Sequence, residues 1–175
     1  VLFDRTPPEL SSVTIASNNT LSTMAKTGDV ITLSITSTEA IRTPTVEIAG
    51  QAATETGDNM TWSAAYTMAD SNTEGSVSLN IGFSDLAGNA GIAVTSTTNG
   101  SAVQFDRTSP VLQPVDNVTT PTSDNTSLSY TFSSTEGGTF TIGGGCSSDS
   151  DNDTVVADNT VSFAALPDGT YGGCY

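Results

Sequence analysis

Val30–Thr36 reads VITLSIT. Ile31, Leu33 and Ile35 alternate with Thr32 and Ser34, and this period of two marks a strand with one face buried and one wet. Outward from it the pattern recurs. Met60–Met68 (MTWSAAYTM) puts Trp62, Ala64 and Tyr66 on one face, and Val77–Phe83 (VSLNIGF) alternates Val77, Leu79, Ile81 and Phe83. Leu10, Val13 and Ile15 form a short strand ended by the Asn18-Asn19 turn. Thr45–Ala49 adds another, and Gly91–Phe105 reads as the last stretch, broken near Asn99-Gly100. The polar residues are mostly Ser, Thr, Asn and Gly, which suit strands and tight turns and disfavour helices. About seven strands with turn signals at short intervals spell an all-β sandwich.

Phe-Asp-Arg-Thr occurs twice, at Phe3–Thr6 and Phe105–Thr108, each time followed within two residues by proline. The copies lie about a hundred residues apart, the length of one immunoglobulin-like sandwich. A junction repeated at that spacing predicts a tandem array. We expect residues 1–6 to be the end of a preceding strand plus linker, 7–108 a first domain and 109–175 a second. Val111–Val115, Leu128–Phe132, Thr139–Ile142, Thr160–Leu166 and Thr170–Tyr175 repeat the strand order. The fold expected is two tandem antiparallel immunoglobulin-like β-sandwiches. The second reads as incomplete, because nothing after Tyr175 matches Asp85–Phe105 and its last strand is missing from the chain.

The chain has 19 acidic and 4 basic residues, a formal net charge of −15. That balance repels nucleic acid and anionic membrane. No apolar run reaches the length of a membrane span. No secretory signal opens the chain, so an export signal or anchor is expected outside it. Cys146 and Cys174 are an even pair in a small β unit without other metal ligands beside them, the pattern of a disulfide and of an oxidising compartment.

The residues quoted so far resemble the bacterial immunoglobulin-like repeats of large surface adhesins. Asp4-Arg5-Thr6-Pro7, and Asp106-Arg107-Thr108 before Pro110, look like that family's Asp-x-Thr-x-Pro linker. Ser37-Thr38-Glu39 is similar to its acidic turn after the second strand, and Asp85-Leu86-Ala87-Gly88-Asn89 to its Asp-x-Ala-Gly-Asn hairpin. In the second unit the likeness covers the linker, Glu136 and the stretch from Asp168 to Cys174. The resemblance implies an extracellular, cell-surface protein of tandem domains, often stiffened by calcium. Its partners are neighbouring domains or subunits, with any host or surface ligand bound outside this chain.

In such a sandwich Glu39 and the Asp85–Asn89 turn converge on Asp4. Carboxylates with an amide make a set of hard oxygen ligands for Ca²⁺. The matching pair for the second unit is Asp106 and Glu136. The same residues also serve as turn caps and hairpin braces through bonds to backbone, and both readings stand at this point. Asp149, Asp151 and Asp153 alternate as in the first half of an EF-hand loop. Thr154 and Thr160 occupy that loop's glycine and bidentate glutamate positions, so only weak binding or a solvated loop is expected there.

The chain has no histidine, so the commonest general base is missing, and no Ser or Thr has an activating base beside it. A structural, non-enzymatic role is the expectation, in attachment or biofilm. Two rivals accompany it. One is a self-assembling filament subunit in which a donated strand completes the second unit. The other is a carbohydrate-binding module, in which Trp62, Tyr66 and Tyr130 stand exposed for sugar stacking rather than filling core positions.

Overall fold

A computed structural model of the chain describes residues 3–116, 128–143, 153–164 and 169. The chain divides into two units, Val1–Arg107 and Thr108–Tyr175. The described residues are all-β and contain no helix.

The first unit holds β1 (Leu10–Ser17), β2 (Met24–Ala25), β3 (Val30–Ser37), β4 (Thr45–Ile48) and β5 (Gln51–Ala52). It continues with β6 (Thr54–Asp58), β7 (Thr61–Thr67), β8 (Gly75–Ser76), β9 (Leu79–Gly82) and β10 (Gln104–Phe105). A four-stranded antiparallel sheet runs β1-β3-β7-β6. Two three-stranded sheets, β5-β4-β9 and β2-β10-β8, accompany it. The alternation of β3 works as read: Ile31, Leu33 and Ile35 are buried, with Ile35 opposite Trp62 and Leu33 opposite Ala64 on β7. Val13 and Ile15 of β1 join them, and Val46, Ile48, Leu79, Ile81 and Phe105 from the smaller sheets complete one apolar cluster. Side chains from separate sheets meeting in one core are consistent with a β-sandwich.

The stretch 91–105 departs from expectation, because only Gln104–Phe105 is regular strand. Gly91 and Val94 bond Phe83 and Ile81 through ordinary backbone bonds, while the segment around Thr98–Ser101 follows β1 by a different scheme. The N–H of Val13 donates to Thr98 Oγ1 at 3.0 Å, and that of Ile15 to Ser101 Oγ at 3.0 Å. Hydroxyls here stand in for the carbonyls of a paired strand and cover an edge of β1 that would otherwise be open. β5 and β6 were not expected, since TETGD carries no apolar alternation; β6 is an edge strand, so it needs little. Phe3 is not in a strand, contrary to its reading as a strand tail.

The second unit holds β11 (Leu112–Asp116), β12 (Ser129–Ser134), β13 (Gly138–Thr139), β14 (Asp153–Thr154) and β15 (Ala157–Ser162). Its sheet β11-β12-β15 is antiparallel throughout, as is β1-β3-β7. The likeness extends to register. Ile35 faces Trp62 and Phe132 faces Asn159, at the same sequence separation. Phe132 and Val161 are buried, and Phe140 meets Phe132 edge-on at 5.4 Å. Of the expected strand Thr139–Ile142 only Thr139 is paired, in β13. Thr170–Tyr175 and both cysteines lie outside the described residues.

Candidate acidic site of the first unit

The Ser-Thr-Glu corner is built by one buried serine. Ser37 continues the phase of Ile31, Leu33 and Ile35 into the interior, where it is 1 % exposed. Its hydroxyl donates to the Glu39 carbonyl at 2.5 Å and to that of Met60 at 3.3 Å. Thr38 ties the corner to the incoming chain: its N–H donates to the Glu9 carbonyl, and its Oγ1 accepts the Glu9 N–H at 3.1 Å. The second unit repeats three of these bonds. Ser134 Oγ donates to the Glu136 carbonyl at 2.5 Å, the Thr135 N–H donates to the Val111 carbonyl, and Thr135 Oγ1 accepts the Val111 N–H at 2.9 Å.

The Asp85 hairpin is closed by its own side chains. Asp85 Oδ1 accepts the N–H groups of Gly88 at 2.6 Å and Asn89 at 2.7 Å, and Oδ2 accepts Asn89 Nδ2 at 2.6 Å. Gly88 sits at φ +103°, a conformation that glycine adopts without a Cβ penalty. Gly91 permits a close approach: a Cβ there would fall 2.3 Å from the Phe83 ring. We therefore expect Gly91→Ala to cost about 1–3 kcal/mol by overpacking, measured by urea denaturation, and to displace the hairpin. A change below about 0.5 kcal/mol would mean the ring is free to move aside.

Asp4, Glu39 and Asp85 come together, with one carboxylate oxygen of each within 4.8 Å of the others. Asp85 is buried, and Asp4 and Glu39 are half-buried. Asn89 Nδ2 also donates to the Asp4 carbonyl at 3.3 Å, so its amide braces the incoming chain against the hairpin. The turn-capping bonds are present too, since Asp4 Oδ1 accepts the Thr6 N–H at 2.9 Å. Among the described residues no Lys or Arg forms an ion pair with the three carboxylates. The Arg5 guanidinium lies over the Phe3 ring, 5.7 Å from its centre, and Arg42 Nη2 donates to the Leu86 carbonyl.

The electrostatics separate the three acids. Glu39 is pushed above the ordinary carboxyl range, first by loss of water around it and then by the charges of Asp4 and Asp85. Burial works to raise Asp85 as well. The bonds it accepts from the Asn89 side chain and from the N–H groups of Asn89, Gly88 and Ala87 outweigh that effect and hold it low. Asp85 is thus a charge held by hydrogen bonds from its own hairpin, whereas Glu39 has its charged form disfavoured by its surroundings. Carboxylate oxygens within 4.8 Å of one another are close enough for one cation to be reached by all three residues.

The remaining expected residues do not extend this cluster. Asp106 belongs to the first unit, where its N–H donates to the Ala25 carbonyl; Glu136 belongs to the second, at the corner described above. Asp153 is exposed in β14, opposite Thr139, and Asp149 and Asp151 lie outside the described residues. Trp62 is 8 % exposed and donates from Nε1 to the Asn59 carbonyl, while Tyr66 is half-buried and bonds Asn72. Tyr130 stacks on Phe132 at 6.1 Å. No exposed indole is therefore offered to a sugar.

Two features escaped the sequence reading. One is the pair of corner serines, whose signal is a polar residue in the buried phase of a strand. The other is the anchoring of Arg107, whose backbone N–H and Nε reach Glu74 and whose Nη1 donates to the Asp70 carbonyl. In comparisons with family models, with curated proteins and with solved structures, nothing matches this chain.

Proposed function

We propose that this chain is a structural repeat segment of a secreted or cell-surface bacterial adhesin-like protein. Its units act as tandem immunoglobulin-like sandwiches, and Ca²⁺ at the acidic corner stiffens the array for attachment or biofilm. The observation that carries this is the duplicated Ser-Thr-Glu corner, whose first copy gathers Asp4 of the incoming segment with Asp85 of a distant hairpin. A corner repeated in three hydrogen bonds supports a repeated building block. Three carboxylates with no ion pair from Lys or Arg support a cation as the missing partner.

The absence of histidine and the strongly acidic surface favour a spacing or holding role over catalysis or nucleic-acid binding. Under this reading Asp4, Glu39 and Asp85 supply oxygen ligands, and Asn89 holds Asp4 and Asp85 in place. Small-angle scattering across a calcium titration tests it. The expected result is a longer maximum dimension in calcium than in chelator. Equal dimensions in both would remove the stiffening role.

A further inference from the structure

Asn99 is followed by Gly100, the one Asn-Gly step in the chain. Both are exposed, on the stretch that passes the outer edge of β1. Gly100 sits at φ +74°, and apart from its chain neighbours nothing lies within 4 Å of the place a Cβ would take. Its N–H makes no hydrogen bond among the described residues. Asn99 Oδ1 accepts the Ser101 N–H at 3.0 Å, so its side chain is folded back along the Gly100 peptide. A backbone nitrogen with no side chain in the way thus lies beside a side-chain carbonyl. The Ser101 N–H is already aimed at the oxygen on which charge develops when that carbonyl carbon is attacked.

The residues on either side of this step hold β1. The Thr98 N–H donates to the Val13 carbonyl at 2.9 Å, and Thr98 Oγ1 accepts the Val13 N–H at 3.0 Å. Ser101 Oγ accepts the Ile15 N–H at 3.0 Å, and Thr97 Oγ1 closes the loop by donating to the Ser101 carbonyl at 2.8 Å. Val13 and Ile15 are core residues two apart, so their N–H groups are spaced by about 7 Å along the strand. The chain has to match that spacing with only Asn99 and Gly100 between its two anchors.

We infer that Asn99–Gly100 is a site of spontaneous covalent modification, with water as co-reactant, that releases the outer edge of β1. The Gly100 nitrogen forms a bond to Asn99 Cγ and gives up its proton. The Cγ–Nδ2 bond breaks, and Nδ2 leaves as ammonia carrying that proton. The five-membered succinimide ring then takes up water at one of its two carbonyl carbons. Opening at Cγ gives aspartate with the main chain unchanged. Opening at the main-chain carbonyl carbon gives isoaspartate, whose main chain runs through Cβ and Cγ. Nothing is oxidised or reduced. The isoaspartate inserts one carbon between Thr98 and Ser101, takes Oδ1 out of its bond with the Ser101 N–H and adds a carboxylate to a chain already at −15. Thr98 and Ser101 then no longer match Val13 and Ile15 together, and the edge of β1 loses its cover. The inference concerns the first unit alone and is independent of any cation at Glu39.

To test it, the full chain is incubated in mildly alkaline buffer and its peptides are mapped by mass spectrometry over time. Asn99 is expected to lose ammonia before any other asparagine, with isoaspartate accumulating at that position. The converted chain is expected to melt on the order of 5–15 °C below the fresh one, the effect of losing one or two hydrogen bonds from a unit of this size. Asn99→Gln cannot close the five-membered ring and should keep its melting temperature through the same incubation. Freshly purified Asn99→Asp carries the charge on an unchanged main chain and should melt within about 5 °C of the parent. An Asn99 that outlasts the chain's other asparagines overturns the inference, as does a converted chain that melts with the fresh one. So does a loss in Asn99→Gln that matches the parent's. An Asn99→Asp that melts as low as the converted chain also overturns it, since the charge and not the added carbon would then account for the loss.

Discussion

Replacing Trp62 by alanine is expected to remove about 3–5 kcal/mol from the first unit, the range for emptying a large aromatic site in a packed core. Trp62 lies on β7, between Ile35 of β3 and Gly57 of β6, so the cavity would open on the core face of the four-stranded sheet. Its Nε1–H also satisfies the Asn59 carbonyl, which accepts the Ile41 N–H as well and anchors the chain just past the Glu39 corner. A domain of this size is stable by about 5–15 kcal/mol in total. The variant should therefore be marginal at 37 °C. Urea unfolding followed by circular dichroism measures it, since the chain has no other tryptophan for fluorescence. A loss below about 1 kcal/mol would mean the indole is not a core residue, and would return it to the surface role considered for sugar binding.

The second large effect is a change of sign at Glu39. Without a cation, its carboxylate sits beside Asp4 and Asp85 and its pKa is raised from the ordinary 4.5. Between the unfolded and folded pKa values the folded chain holds more protons than the unfolded one. Stability therefore falls as pH rises through the window just above 4.5. Glu39→Gln removes the repulsion, so in chelator at neutral pH it should melt above the parent. In calcium the order should reverse, because the variant has lost a charged ligand. A ligand at a hundredfold excess over its Kd stabilises by about 2.7 kcal/mol, which for a unit of this size is on the order of 10–20 °C. Melting curves of both proteins in chelator and in calcium give the answer. If the order of melting is the same in both media, Glu39 is not a calcium ligand. Asp85 behaves oppositely: its pKa is lowered from 3.8, so its contribution is lost only as pH falls below that value.

Much of the first unit could be read from alternation alone. β3, β7 and β9 each set apolar residues every second position, and the pleat sends such residues to one face whatever the partner strand. The stretch 91–105 defeated this logic. It splits between an isolated bridge to β9 and a contact with β1 in which Thr98 and Ser101 hydroxyls accept the strand's N–H groups, and such scattered pairing leaves no periodic trace. β6 escaped for a related reason, since an edge strand with exposed faces has no apolar face to announce it.

The acidic site was legible as a set of residue types and not as an arrangement. Asp4, Glu39, Asp85 and Asn89 were each marked by a short motif. That Asn89 uses its amide nitrogen as a brace toward Asp4 as well as Asp85 depends on where the incoming chain meets the hairpin. Arg107 was marked by the repeat, but its partners were not, because Glu74 and Asp70 lie on a loop between β7 and β8 far from it in sequence.

By itself the sequence determined the strand-rich class, the phase of each buried face and the Phe-Asp-Arg-Thr repeat. These follow from short-range rules: side-chain direction, backbone propensity and the identity of neighbouring residues. Only the tertiary structure decided that Asp85 is buried and held by its hairpin's own N–H groups, while the Glu39 charge beside it is disfavoured. Both outcomes depend on what surrounds a group, because burial and electrostatics are properties of the neighbourhood, not of the residue.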